Sequence, residues 1–156
     1  MSNLEDLYKE ILLDHYRSPR CKGTLPTPPA VKQEGFNPFC GDEINLFLDK
    51  TDQEKLEVRI EVRGCTISQS SASLMAQEVN GKSASYATEL IEKFKNMMSV
   101  GDLENPEQSQ NTEPEKDDFK SMGEIAVLLG VVKFPSRIKC ATLAWNTLKL
   151  ALLDQP

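Results

Sequence analysis

Two runs of alternating side chains, Ile44-Asn45-Leu46-Phe47-Leu48 and Leu56-Glu57-Val58-Arg59-Ile60-Glu61-Val62, constrain this chain more than anything else in it. A period of two sends successive side chains to opposite faces, so each run makes a half-buried strand. Thr51-Asp52-Gln53-Glu54 between them suits a hairpin, which makes the pairing antiparallel. Val31 to Phe36 reads as a further short strand. Beyond Cys65 the period turns helical: Ala72, Met75, Ala76 and Val79 share a face of Ser68 to Asn80, and Gly81 is a natural stop. Ser83 or Ser85 caps a second helix through Met98. Phe119 to Leu129 restarts a short one, and Pro135 opens the last, which runs through Trp145 to about Leu152. Ahead of the strands, Leu4, Leu7, Ile11 and Leu12 form a stripe on a helix from Leu4 to Arg17, closed by Ser18-Pro19-Arg20. Residues 19–30, rich in proline and glycine, read as a surface loop. Strands set apart from helices imply an α+β fold, a small antiparallel sheet of about three strands covered by helices.

At 156 residues the chain is expected to form a single domain over 1–156. Residues 99–118 are polar, acidic and nearly free of aromatics, which reads as a flexible insertion. No apolar run approaches the roughly 20 residues that span a bilayer. Met1-Ser2-Asn3-Leu4-Glu5-Asp6 carries no signal pattern, so the expected location is the cytoplasm, with no membrane. A net charge of −6 argues against nucleic acid as a partner. In a reducing compartment the 4 cysteines are expected to be free, metal-bound or catalytic rather than paired.

Three of them share a kind of context: Asn37-Pro38-Phe39-Cys40-Gly41-Asp42, Gly64-Cys65-Thr66-Ile67-Ser68 and Arg137-Ile138-Lys139-Cys140-Ala141. With Asp42 they supply three thiolates and a carboxylate, enough for a tetrahedral metal site. Gly41 allows a tight bend that would turn Cys40 and Asp42 toward one point. Cys65 stands at a strand-to-helix junction, where exposed N–H groups favour a thiolate. Arg137 and Lys139 are expected to lower the pKa of Cys140. Such a site carries excess negative charge, and Arg137 is the residue expected to balance it. Taken singly, each cysteine also fits a small, inert core residue.

Other candidates read more plainly. Cys21, in the proline-rich loop between Arg20 and Lys22, is expected to be an incidental exposed thiol. His15, the only histidine, would have to lie near a cysteine to make a nucleophile pair; a surface or capping role is expected instead. Ser70-Ser71-Ala72-Ser73 suits close helix packing, and Trp145 suits the core.

The chain resembles the NifU/IscU-type iron–sulfur assembly scaffolds, and more closely their SufU branch. The matching stretches are Leu7-Tyr8, Asp14 to Arg20, Asn37 to Asp42, Gly64 to Ser68 with Ala72 to Met75, and Lys133 to Trp145. Two features point to the branch: Lys139 stands where IscU-type members place a histidine before the third cysteine, and residues 99–118 look like a long form of a SufU segment. The resemblance implies a NifU-type scaffold fold and Zn²⁺ held by Cys40, Asp42, Cys65 and Cys140. It also implies a PLP-dependent cysteine desulfurase of the SufS type as partner, which hands over sulfur as a persulfide, and iron–sulfur assembly proteins downstream. Cys40 is then the sulfur acceptor, freed when the partner rearranges the zinc ligands, and the protein acts as a sulfurtransferase-like carrier that stimulates the desulfurase. The alternative is a scaffold on which a [2Fe–2S] cluster or iron is held transiently at Cys40, Cys65 and Cys140. A third class is a module in which zinc only holds the fold.

Overall fold

The alternating runs pair as a meander. In the computed structural model, which describes residues 3–27, 29–51, 54–99 and 123–154, β1 (Val31–Asn37), β2 (Asp42–Lys50) and β3 (Leu56–Arg63) form an antiparallel sheet in the order β1-β2-β3. Asn37 sits opposite Asp42 and Gly35 opposite Ile44, while Ile44 pairs with Val62 and Leu46 with Ile60. This register aligns the apolar parity of β2 and β3, so Ile44, Leu46, Leu48, Leu56, Val58 and Ile60 are buried under the helices. Asp42 has the same parity as Ile44. Its carboxylate therefore points into the protein and is 0% exposed.

The helices are α1 (Asn3–Arg17), α2 (Thr66–Val79), α3 (Ala84–Ser99) and α4 (Pro135–Asp154), with a run of 3₁₀ turns over Gly123–Lys133. Helix α4 crosses β1 and β2, and α2 lies against β3 and α4. Helix α1 packs on α2, while the 3₁₀ run touches α1, α3 and α4. Gly35 lets α4 approach closely, since a Cβ there would run into the Thr147 hydroxyl. The free edge of β3 is covered rather than bare. Ile60 N–H donates to Cys21 O at 2.9 Å and Gly23 N–H to Ile60 O at 3.0 Å, while Leu56 exchanges bonds with Lys82 and Gly81.

Helix α2 is held by its serines. Ser70 Oγ donates to Leu12 O at 2.7 Å, and Ser71 Oγ donates to Ala141 O at 2.6 Å while accepting from Trp145 Nε1 at 3.0 Å. Small side chains let α2 approach α1 and α4, and their hydroxyls satisfy polar groups that close packing would otherwise strand. Trp145 is buried as expected and stacks on Phe94 with centroids 4.1 Å apart. Among the described residues no helix is long and apolar enough to cross a membrane.

Three expectations are corrected. His15 is not a surface residue: it is fully buried, with Nδ1 2.7 Å from Ser73 Oγ and Nε2 3.5 Å from Glu124 Oε2. Cys21 is half-buried against the core with φ +58°, because its carbonyl is drawn onto the β3 edge. Burial pushes its thiol pKa up, the reverse of an activated surface thiol. The short helix expected over Phe119 to Leu129 is, in its described part from Gly123, a 3₁₀ run, where Gly130 and the β-branched Val131 disfavour an α-helix; residues 119–122 lie outside the described residues. The acidic insertion lies, beyond Ser99, outside the described residues.

Candidate metal centre

The site forms where the β1–β2 turn, the β3–α2 junction and the first turns of α4 meet. Asn37-Pro38-Phe39-Cys40-Gly41 folds back on itself: Gly41 N–H donates to Asn37 O at 2.9 Å, and Gly41 takes φ +70°. This turn leaves Cys40 exposed above Asp42. Cys140 reaches the same point from α4 and is fully buried. The ligand atoms of Cys40, Asp42 and Cys140 lie within 4.8 Å of one another, a group that could hold a metal ion. The Cys40 and Cys140 sulfurs are 3.2 Å apart, and both residues are free thiols.

Cys65 borders this group without joining its tightest cluster. It is the N-cap of α2, and its sulfur accepts a bond from Ser68 N–H at 3.4 Å. Its own N–H donates to Asp42 Oδ1 at 2.9 Å, so the start of α2 holds the carboxylate. Gly64 makes this possible. With φ +148°, it brings the chain so close that a Cβ there would collide with Asp42 Oδ1.

Asn37 and Ser68, whose types in the sequence do not announce it, also contact the site, both as hydrogen-bond partners of Asp42. Buried Asn37 donates through Nδ2 to Asp42 Oδ2 at 3.2 Å and toward Cys140 Sγ at 3.7 Å, and accepts from Phe39 N–H at 3.2 Å. It braces carboxylate, thiol and turn together. Asn37 stands within the motif around Cys40, so its position was the available signal; its bonds to Asp42 and Cys140 depend on register and on α4.

The electrostatics follow from these contacts. Burial alone would raise the Asp42 pKa, but hydrogen bonds from Cys65 N–H, Cys140, Asn37 and Ser68 outweigh it and hold the group below its ordinary value. Cys140 goes the other way: burial, then the neighbouring Cys40, Asp42 and Cys65, push its thiol far above the ordinary value. This overturns the expectation that Arg137 and Lys139 would lower it. The Arg137 guanidinium has its pKa raised by hydrogen bonding to Cys140 first and then by the charges of Cys65, Cys140 and Cys40.

The donors fit zinc. It is borderline-soft and accepts mixed thiolate and carboxylate sets. Two thiolates on one tetrahedral zinc stand about 3.8 Å apart, given Zn–S bonds of about 2.3 Å. The Cys40–Cys140 separation of 3.2 Å needs only a small opening to match.

The comparisons define the class of protein. The chain belongs to the family described as NifU-like N terminal domain, whose model matches residues 7–141. It is 40% identical over 149 residues to the zinc-dependent sulfurtransferase SufU of Bacillus subtilis, covering 95% of this chain and 90% of that one. It is 42% identical over 153 residues to the iron–sulfur cluster assembly scaffold protein IscU of Streptococcus pyogenes, covering 97% and 86%. A solved SufU structure from Fervidobacterium islandicum AW-1 superposes with a TM-score of 0.73 at 30% identity, covering 92% of this chain and 94% of that one. The chain and its fold are thus those of an iron–sulfur cluster assembly protein of the SufU/IscU kind.

Proposed function

We propose that this protein is a zinc-bound sulfur acceptor, working in the cytoplasm, that takes sulfur from a PLP-dependent cysteine desulfurase of the SufS type and stimulates that enzyme. One observation carries the reading: of the grouped donors, Asp42 and Cys140 are buried while Cys40 is exposed. A metal held there has two fixed ligands and one thiol that a partner can reach. The sulfurtransferase name of the 40%-identical relative supports the same reading.

Cys40, Asp42, Cys65 and Cys140 would hold the zinc, Cys65 by turning its sulfur from Ser68 N–H toward the other three. Bound zinc keeps these thiols deprotonated at neutral pH. The chain's own residues do the rest. Cys40 thiolate attacks the outer sulfur of the desulfurase persulfide; one S–S bond forms as the other breaks, and the desulfurase cysteine leaves as its thiolate. The exchange involves no net oxidation. Arg137 balances the anionic charge, Asn37 and the α2 N-terminus keep Asp42 ionised in place, and Cys140 remains buried. The 42%-identical IscU relative favours a second reading, assembly of a [2Fe–2S] cluster on the same thiols for delivery to downstream apoproteins.

The test is to mix the protein with a cysteine desulfurase and cysteine, then map the added sulfur by peptide mass spectrometry. The reading expects one extra sulfur on Cys40. Sulfur on Cys65 or Cys140 with Cys40 unmodified would overturn it.

A further inference from the structure

The base of the Cys40 turn is well held, but its tip is not. Asn37 ties down the base through backbone and side-chain bonds. Phe39, next to Cys40, is 76% exposed, so burial does not fix it. Its ring is instead covered by Lys139, whose Nζ stands 4.1 Å from the ring centroid. The other cation–π pairs among the described residues are looser, at 5.9 Å for Lys32–Phe47 and 5.5 Å for Lys82–Tyr86. Lys139 immediately precedes Cys140, so the pair ties the turn to α4 beside the 3.2 Å Cys40–Cys140 contact.

We infer that Lys139 is a positioning residue: its ammonium latches the Phe39 ring to α4 and thereby keeps Cys40 turned inward over the site until sulfur is to be accepted. This deepens the sulfur-acceptor reading and rests on it for its purpose, though the latch itself is a property of the turn. Cys40 has two demands on it, to stay with the buried donors and to leave them. A tether built from two exposed side chains suits both, because such a contact shifts an equilibrium about two- to five-fold rather than locking it. It also gives Lys139 a role that needs no ligation.

The test is a double-mutant cycle on the rate at which iodoacetamide alkylates Cys40, resolved by peptide mass spectrometry, with metal-free and zinc-loaded protein. A neutral reagent minimises direct charge effects on encounter. Phe39→Leu is expected to speed Cys40 alkylation about two- to five-fold when Lys139 is present, and to change nothing in a Lys139→Met background. Lys139→Arg, which keeps a cation over the ring, is expected to match the wild type. Both positions are exposed, so the variants should melt with the wild type, and a circular-dichroism scan checks this. An equal effect of Phe39→Leu in both backgrounds, or none in either, would overturn the latch. A rate that follows only the charge at position 139 would reduce Lys139 to a field effect on the thiol. No desulfurase enters the assay, so the latch can fail while sulfur acceptance stands, and the converse.

Discussion

Replacing Gly64 by alanine should damage the site and the fold together, and the size of the effect follows from the geometry. Gly64 has φ +148°, and a Cβ there would overlap Asp42 Oδ1 while lying 2.8 Å from Asp42 Cγ and Ser68 Oγ. None of these atoms can retreat freely: Asp42 is buried and tied to Cys65 N–H and Asn37 Nδ2, and Ser68 Oγ bonds Cys65 O at 3.1 Å. A non-glycine residue in such a backbone region costs about 1–3 kcal/mol. Losing the charge-assisted bond from Cys65 N–H to Asp42 adds about 1.5–3 kcal/mol. Together these make about 2.5–6 kcal/mol, and each kcal/mol lowers Tm by about 2–4 °C in a domain this long, so the expected drop is roughly 5–24 °C. Displaced Asp42 should also weaken zinc retention, measured by competition with a chromogenic chelator. A Gly64→Ala protein that melts within a degree or two of the wild type and holds zinc equally well would refute the argument that the missing Cβ sets the carboxylate in place.

Further outcomes follow from single contacts. Ser71→Ala should cost about 1–3 kcal/mol in urea unfolding, because it strands the buried Trp145 N–H that Ser71 accepts; a Ser71→Ala, Trp145→Phe double variant should lose less than the two singles summed. His15 is held below its ordinary 6.5 by burial first and by Arg20 second, against the opposing pull of Glu124. The unfolded chain therefore binds a proton more readily, so His15 should cost stability progressively as pH falls below about 6.5, and His15→Gln should flatten that part of the stability–pH curve. Asp42→Cys at the proposed zinc site should slow zinc exchange with a chelator, since a fourth thiolate binds zinc more tightly than a carboxylate; unchanged exchange would count against Asp42 as the labile ligand.

The parts of the fold that local periodicity encodes were legible in the sequence. The alternation at 44–48 and 56–62 located β2 and β3, and the stripe over 72–79 located α2. Asp42 and Cys40 were legible as a pair because Gly41 between them announces a turn. What escaped were properties set by distant residues. His15 reads as polar and therefore exposed; it is buried because Ser73, 58 positions away, offers its ring a partner. Cys21 sits in a proline-rich stretch, yet its backbone is captured by Ile60 on β3. The sign of the Cys140 shift also escaped, since nearby Arg137 and Lys139 are visible in the sequence while the burial and the crowding of Cys40, Asp42 and Cys65 are not.

Zinc at the proposed site is expected to make Cys40 a sulfur acceptor for a desulfurase. The most direct test is turnover of a SufS-type cysteine desulfurase with zinc-loaded protein, metal-stripped protein and a zinc-loaded Cys40→Ala variant. Strong stimulation is expected from the zinc-loaded wild type alone. Stimulation that persists without zinc, or in Cys40→Ala, would contradict this expectation.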